Sequence, residues 1–234
     1  MIKEEHYSDK GSLEVNQDAI FYDTDKSIAV FCVADGMGGH MHGELASRAI
    51  VDSLSAWYQA YEAKNEEIVF GEAIKSIEMV LTNVNAQIFA DYNTSGRCGS
   101  TAVVLVMAKD EYAIFSAGDS RIYLKRGWGF SQLTVDDVWQ NNPNNVINMS
   151  RKEIVSSEHY GKLTKAVGIK PQIVFNRTTG VLKKGDIFFL CCDGVYKFIA
   201  EKRLKKIFAN PQKICDEVNK VGAPDNFSFI IVRS

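Results

Sequence analysis

The chain has 234 residues and near-balanced charge, 27 Lys and Arg against 29 Asp and Glu for a formal net of -2. At about 150 residues per domain this is one large domain or two small ones, and the charge balance excludes a protein held on nucleic-acid phosphates. With 46% hydrophobic residues, 24% charged residues and four Pro, the composition also excludes disorder.

Ala19 to Tyr22 and Ile28 to Ala34 predict two strands joined by the polar stretch Asp23 to Ser27. After Asp35 the period changes, and Leu45, Ala49, Leu54, Trp57, Tyr58 and Tyr61 form one stripe of a helix from about Glu44. A second helix is expected from Asn65, with Glu66 and Glu67 in its first turn and Ile68, Ile74, Ile77, Leu81, Val84 and Ile88 on its buried face. Strands return at Thr101 to Ala108, Tyr112 to Ala117 and Arg121 to Lys125, and their short connections predict antiparallel neighbours. Val138 to Gly161 is polar and Asn-rich and reads as an irregular insertion with some helix around Arg151 to Ser156. Strands at Ile173 to Thr178 and Ile187 to Cys192, helices near Glu201 to Ala209 and Pro211 to Val221, and a last strand Phe227 to Val232 complete the pattern. About eight antiparallel strands with one-sided helices predict two face-to-face sheets covered by helices in a single domain.

The longest apolar runs are near seven residues, far short of the roughly 20 of a membrane helix. The polar, acidic start Met1 to His6 does not read as a secretory signal. Five Cys without repeated spacing argue against a disulfide framework or zinc module and for a reducing cytoplasm.

Several aspartates stand beside glycine where strands end. Asp35 leads into Gly36-Met37-Gly38-Gly39, Asp193 precedes Gly194, Asp119 lies in Gly118-Asp119-Ser120, Asp225 precedes Asn226, and Asp18 follows Asn16-Gln17. Any one of them alone reads as a turn aspartate. Five together, with few basic residues beside them, read as a site for a hard divalent cation such as Mg²⁺ or Mn²⁺, because charges at the ends of buried strands are costly unless compensated.

Asn16-Gln17-Asp18, Val33 to His40, Gly99-Ser100-Thr101-Ala102, Ala117 to Arg121, Leu133-Thr134, Leu163 to Gly168, Cys192-Asp193-Gly194-Val195 and Asp225-Asn226-Phe227-Ser228 together resemble the ordered motifs of PP2C-type (PPM) protein phosphatases. The resemblance spans essentially the whole chain, and Met37 resembles the bacterial branch. It implies an α+β fold, a four-layer α/β/β/α sandwich of two antiparallel sheets flanked by helices, over residues 1–234, with 138–161 as a variable flap. It implies hydrolysis of phosphoserine and phosphothreonine at two Mn²⁺ or Mg²⁺ ions with a possible third. Asp35 would bridge the two ions, with the Gly36 carbonyl on one and Asp193 and Asp225 on the other. Asp18 would hold water or act from behind the ligands, and Asp119 with Asp193 would take a third, weaker ion. The partners implied are phosphorylated proteins, substrates of a Ser/Thr kinase, met by a cytoplasmic monomer.

Some positions depart from the family pattern. Leu13 stands where members carry a phosphate-gripping Arg, with Lys10 the nearest cation, and Asp136-Asp137 stands where Asp-His is usual. Met37 cannot donate a proton, which leaves water on a metal as the general acid, or His40 of the His40/His42 loop pair. These departures keep open a catalytically weak or silent phosphoprotein-binding regulator, and cleft shape decides whether small phosphoesters are substrates. Cys191 and Cys192 read as core, Lys202, Arg203, Lys205 and Lys206 as a solvated helix face, and Trp128 and Trp139 as packing residues.

Overall fold

A computed structural model describes residues 2–24, 27–38, 43–62, 69–92 and 98–234. In chain order the strands are β1 (Lys3–Asp9), β2 (Asp18–Asp23), β3 (Ala29–Met37), β4 (Gly99–Ser100), β5 (Ala102–Ala108), β6 (Glu111–Ala117), β7 (Arg121–Arg126), β8 (Gly129–Gln132), β9 (Asn176–Val181), β10 (Ile187–Cys191) and β11 (Phe227–Arg233). The helices are α1 (Gly43–Glu62), α2 (Phe70–Tyr92), α3 (Pro143–Val146), α4 (Arg151–Ser156), α5 (Asp193–Tyr196), α6 (Glu201–Ile207) and α7 (Pro211–Lys220).

The strands form two antiparallel sheets. One runs β1-β11-β10-β7-β8; the other runs β2-β3-β5-β6-β9, with β4 added to β3. The period of two along a strand explains the layers. In β3, Phe31 and Val33 enter the core between the sheets, while Val30, Cys32 and Ala34 face the other way, against Ile50, Leu54, Ile77 and Leu81 of α1 and α2. β5 divides likewise, Val103 and Leu105 to one core and Val104 and Val106 to the other, so it is buried on both faces and reads as a continuous apolar run. Leu204 and Ile207 of α6 and Ile214 and Val218 of α7 close the far side. The result is the four-layer α/β/β/α sandwich.

Several sequence expectations are corrected. Eleven strands stand among the described residues where about eight are predicted, because β1 and β8 are polar and half exposed and carry no apolar run and β4 is only two residues long. β6 and β7 are not neighbours: the Gly118-Asp119-Ser120 link carries the chain from one sheet to the other. Gly118 makes this possible at φ +98, where an added Cβ would lie 2.7 Å from Thr101 Cγ2. β3 does not stop at Ala34 but runs on through Asp35 to Met37, paired at its end with β4. β9 starts at Asn176, beyond the predicted Ile173. Leu45 faces solvent, since the buried stripe of α1 begins at Ala46 and Ile50. α2 begins at Phe70; the expected start at Asn65 to Ile68 lies outside the described residues.

The 138–161 segment contains a 3-10 turn at Trp139–Asn141, then α3 and α4. Ser150 and Glu153 form a capping box that starts α4 at Arg151. Its two ends are tied together where Trp139 N–H donates to Lys162 O (2.8 Å) and Thr164 N–H to Asp137 O (2.8 Å). No helix among the described residues is long and apolar enough to cross a membrane.

Candidate metal centre

Asp18 opens β2 directly opposite Asp35 in β3. Asp18 Oδ2 accepts a hydrogen bond from the Cys192 thiol (3.2 Å), and Cys192 Sγ in turn accepts one from Ser228 N–H (3.1 Å). These contacts join the two sheets at their acidic end. Asp18 Oδ1 is buried with no partner among the described residues. Asp35 is held by its backbone: its N–H donates to Thr101 Oγ1 (3.1 Å), and its carbonyl accepts from Thr101 N–H (2.8 Å) and Ser100 Oγ (3.0 Å). This accounts structurally for the Gly99-Ser100-Thr101 motif. Gly36 is pressed against neighbouring backbone, for an added Cβ would lie 2.2 Å from Gly43 O and 2.5 Å from Gln17 O.

Asp193 is the first residue of α5, not the last of a strand as the sequence suggests. Gly194 allows the close approach, because a Cβ there would sit 1.9 Å from Asn226 O. Asn226 is a clip: Oδ1 accepts from Gln17 N–H (2.8 Å), and Nδ2 donates to Lys10 O and Val15 O (both 2.9 Å). It ties the loop before Asp18 to the residue after Asp225.

Asp119 is buried at the inter-sheet crossing, where Oδ2 accepts from Tyr196 OH (3.1 Å). Lys197 Nζ donates to Asp193 Oδ2 (2.5 Å) and lies 3.8 Å from Asp119 Oδ2. The Arg121 guanidinium lies 3.5 Å from the centre of the Tyr196 ring and forks onto Asp136. Asp137 accepts from Gly118 N–H (3.1 Å) and pairs with Lys165 (3.1 Å). The unusual Asp136-Asp137 pair is thus engaged in ion pairs of its own.

The electrostatics are those of crowded, dehydrated carboxylates. Burial, reinforced by Asp193 and Asp225, pushes the Asp18 carboxyl up to about 7 against the smaller pull of Ser228 and Cys192. Burial and then Asp18, Asp193 and Asp119 raise Asp35 well above the carboxylate range. Burial followed by the Asp193 charge also raises Asp119 and Asp225. Asp193 therefore acts on all four others, and the five aspartates share one site.

The donor set fits a hard divalent cation. Ligand atoms of Asp18, Asp35 and Cys192 lie within 4.8 Å of one another, and Asp18 Oδ1 is buried without a hydrogen-bond partner among the described residues. Cys192 is a brace within this set: burial drives its thiol well above the usual range, so it stays protonated and donates to Asp18. Core packing alone does not describe it, while Cys191 is a plain core residue.

Lys197 and Tyr196 are the site residues that sequence reasoning misses. A cation four residues after Asp193 is the available signal, legible only if that stretch is read as helical. Leu13 is partly exposed in a turn closed by its N–H to Lys10 O (3.2 Å), and the neighbouring Ser12 N–H donates to Ala223 O (2.8 Å). His40 and His42 lie outside the described residues. Lys202, Arg203, Lys205 and Lys206 are solvent-exposed on α6, and Trp128 is 99% exposed in the β7–β8 turn and so takes no part in packing.

A two-sheet sandwich with five aspartates converging at one end defines the class, and the model of the family protein phosphatase 2C matches residues 6–225. The chain belongs to that family and is a protein phosphatase by class. It is 25% identical to the serine/threonine phosphatase stp of Listeria monocytogenes over 97% of this chain and 90% of that one. The structure of the Streptococcus agalactiae serine/threonine phosphatase superposes with a TM-score of 0.85 at 21% identity, covering 100% of this chain and 99% of that one. The catalytic domain of the serine threonine protein phosphatase PstP in complex with 2 manganese ions gives a TM-score of 0.76 at 21% identity, covering 99% and 97%.

Proposed function

We propose that the chain is a metal-dependent protein-serine/threonine phosphatase that hydrolyses phosphoserine and phosphothreonine with water at a centre of two Mn²⁺ or Mg²⁺ ions. The observation that carries this reading is the crowded carboxylate set around Asp193, buried at Asp18 and Asp119, with Asp18 Oδ1 left without a partner among the described residues. A pair of such ions supplies an activated water and offsets charge on the phosphoryl oxygens during in-line attack.

Asp35, the Gly36 carbonyl, Asp193 and Asp225 are the groups that would hold the two ions in this reading. Asp18, steadied by Cys192, orients water through its free oxygen. Asp119 with Asp193 is the pair to which the family resemblance assigns a possible third cation. Met37 has no proton to give, so the leaving Ser or Thr oxygen takes its proton from water in the cleft. A cavity of about 300 Å³ lined by Met37, Gly38, Leu163, Thr164, Ala166 and Ile169 adjoins the end of β3 and accepts residues flanking the phosphate. Residues 138–161 form the flap of this one domain, which works as a cytoplasmic monomer on the products of a Ser/Thr kinase.

The test is manganese-dependent phosphate release from a phosphothreonine peptide, with Asp35→Ala and Asp193→Ala as controls. Turnover lost in both variants and on chelation supports the reading. Metal-replete protein without turnover overturns it.

A further inference from the structure

The acidic end of the sandwich already holds one cation of the chain's own. Lys197 sits one helical turn beyond Asp193, its Nζ bonded to Asp193 Oδ2 at 2.5 Å and 3.8 Å from Asp119 Oδ2. Asp119 and Asp193 come from different elements, the inter-sheet crossing and α5, and Lys197 spans them. Asp119 is further tied by Tyr196 OH (3.1 Å), and Tyr196 is fixed under the Arg121 guanidinium (3.5 Å), itself forked onto Asp136. The Lys side chain is half exposed, whereas Asp119 and Asp193 are 6% and 18% exposed, so the ammonium reaches from solvent onto carboxylates that are themselves largely shielded.

We infer that Lys197 is a tethered cation for the Asp119–Asp193 pair, standing where a further divalent ion would otherwise be held and lowering by one the number of ions the centre takes up. This rests on the metal-centre reading above. The physical reason is local concentration. An ammonium on the same helix as one carboxylate meets the pair without the translational cost of capturing a free ion, and it satisfies Asp193 with a charge-assisted hydrogen bond. Because the Lys197 charge neutralises one carboxylate without supplying Lewis acidity, the pair adds positioning and charge compensation but no additional metal chemistry.

The experiment is a Mn²⁺ titration by calorimetry, with free Mn²⁺ counted by electron paramagnetic resonance, on the wild type, Lys197→Gln, Lys197→Arg and Lys197→Gln/Asp119→Asn, each checked for fold by circular dichroism. Lys197→Gln is expected to bind one more, weaker Mn²⁺ than the wild type; Lys197→Arg keeps the wild-type number; and the double variant loses the extra ion. Equal stoichiometry in wild type and Lys197→Gln, or an extra ion that survives Asp119→Asn, overturns the inference while leaving the metal centre intact. Wild-type protein that binds no Mn²⁺ overturns the metal centre itself and this inference with it.

Discussion

Asp18 and Asp35 face each other across the β2–β3 pair, two carboxylates in direct register on adjacent antiparallel strands. Like charges placed so are destabilising, and burial deepens the conflict by pushing the Asp18 carboxyl up to about 7. The unfolded chain gives up the same proton at about 4. Between those values the folded state binds more protons, so chelated protein loses stability as pH rises from about 4 to about 7. Asp18→Asn removes this share of the slope. Its melting temperature without metal at pH 8 is expected to rise by several degrees while its gain on adding Mn²⁺ shrinks; scanning fluorimetry with and without chelator measures both, and an unchanged metal-free melting temperature would refute the account.

Asn226 governs the same site from one residue away. Its side chain holds Gln17, Lys10 and Val15 at once, fixing the approach to Asp18 beside Asp225. Asn226→Ala removes three hydrogen bonds to part-buried backbone groups, a loss of about 2–3 kcal/mol. Because groups that orient ligands affect affinity nearly as much as the ligands do, Mn²⁺ binding is expected to weaken about 10- to 100-fold. Calorimetry at a temperature well below the variant's melting point separates the two effects.

Gly118 allows the chain to cross between sheets. Gly118→Ala forces a side chain onto φ +98 and into Thr101. Left-handed backbone costs about 1–2 kcal/mol and overpacking a further 1–3 or so, giving a fall in melting temperature of roughly 10 °C for a domain of this size. Thermal unfolding checks it, and a fall below about 3 °C would mean the crossing is more pliant than its geometry implies.

Away from the centre, Arg126 at the end of β7 forks onto the buried Asp186 (2.8 and 2.6 Å) and also donates to Val181 O (2.7 Å). Burial alone would raise the Asp186 carboxyl, but Arg126 and the Lys183 N–H outweigh it and hold it below the usual range. Its stabilisation is therefore present above the unfolded pKa of about 3.9 and vanishes as pH falls through the lower folded value. Arg126 is over a third exposed and partly screened, so Asp186→Asn is expected to cost about 1–2 kcal/mol at pH 7. Urea melts should show the gap to wild type closing as pH is lowered below 4.

Leu13 tests how phosphate is held. Its loop packs by Gly11 against Asp225 O, so an arginine there can reach toward the acidic end. Leu13→Arg is expected to lower KM for a phosphothreonine peptide with kcat little changed, as steady-state kinetics would record. An unchanged or raised KM would mean that phosphate is gripped elsewhere.

The legible parts of this fold were those with local signals. β3, β5, β10 and β11 are apolar runs, α1 and α2 are one-sided, and four of the five aspartates stand next to glycine or asparagine. β1 was hidden because Lys3, Glu4 and Glu5 obscure any alternation, and only its partner β11 makes it a strand. The change of sheet between β6 and β7 was hidden because a three-residue link looks the same whether it turns back or crosses over. The braces of the site were hidden for a different reason: Cys192 meets Asp18 from 174 positions away and Asn226 meets Gln17 from 209, separations that leave no trace in a local pattern.

The strand order β1-β11-β10-β7-β8 has a kinetic consequence. The other sheet is built mainly from neighbours in sequence and can nucleate while the ribosome is still at work, but β1 must wait for β11, and Asp225 arrives only with the segment just ahead of that strand. Pairings so distant in the chain close slowly. A partly synthesised chain therefore exposes β1 as an unpaired edge, and the acidic end of the sandwich gains its last aspartate only as the final strand is made.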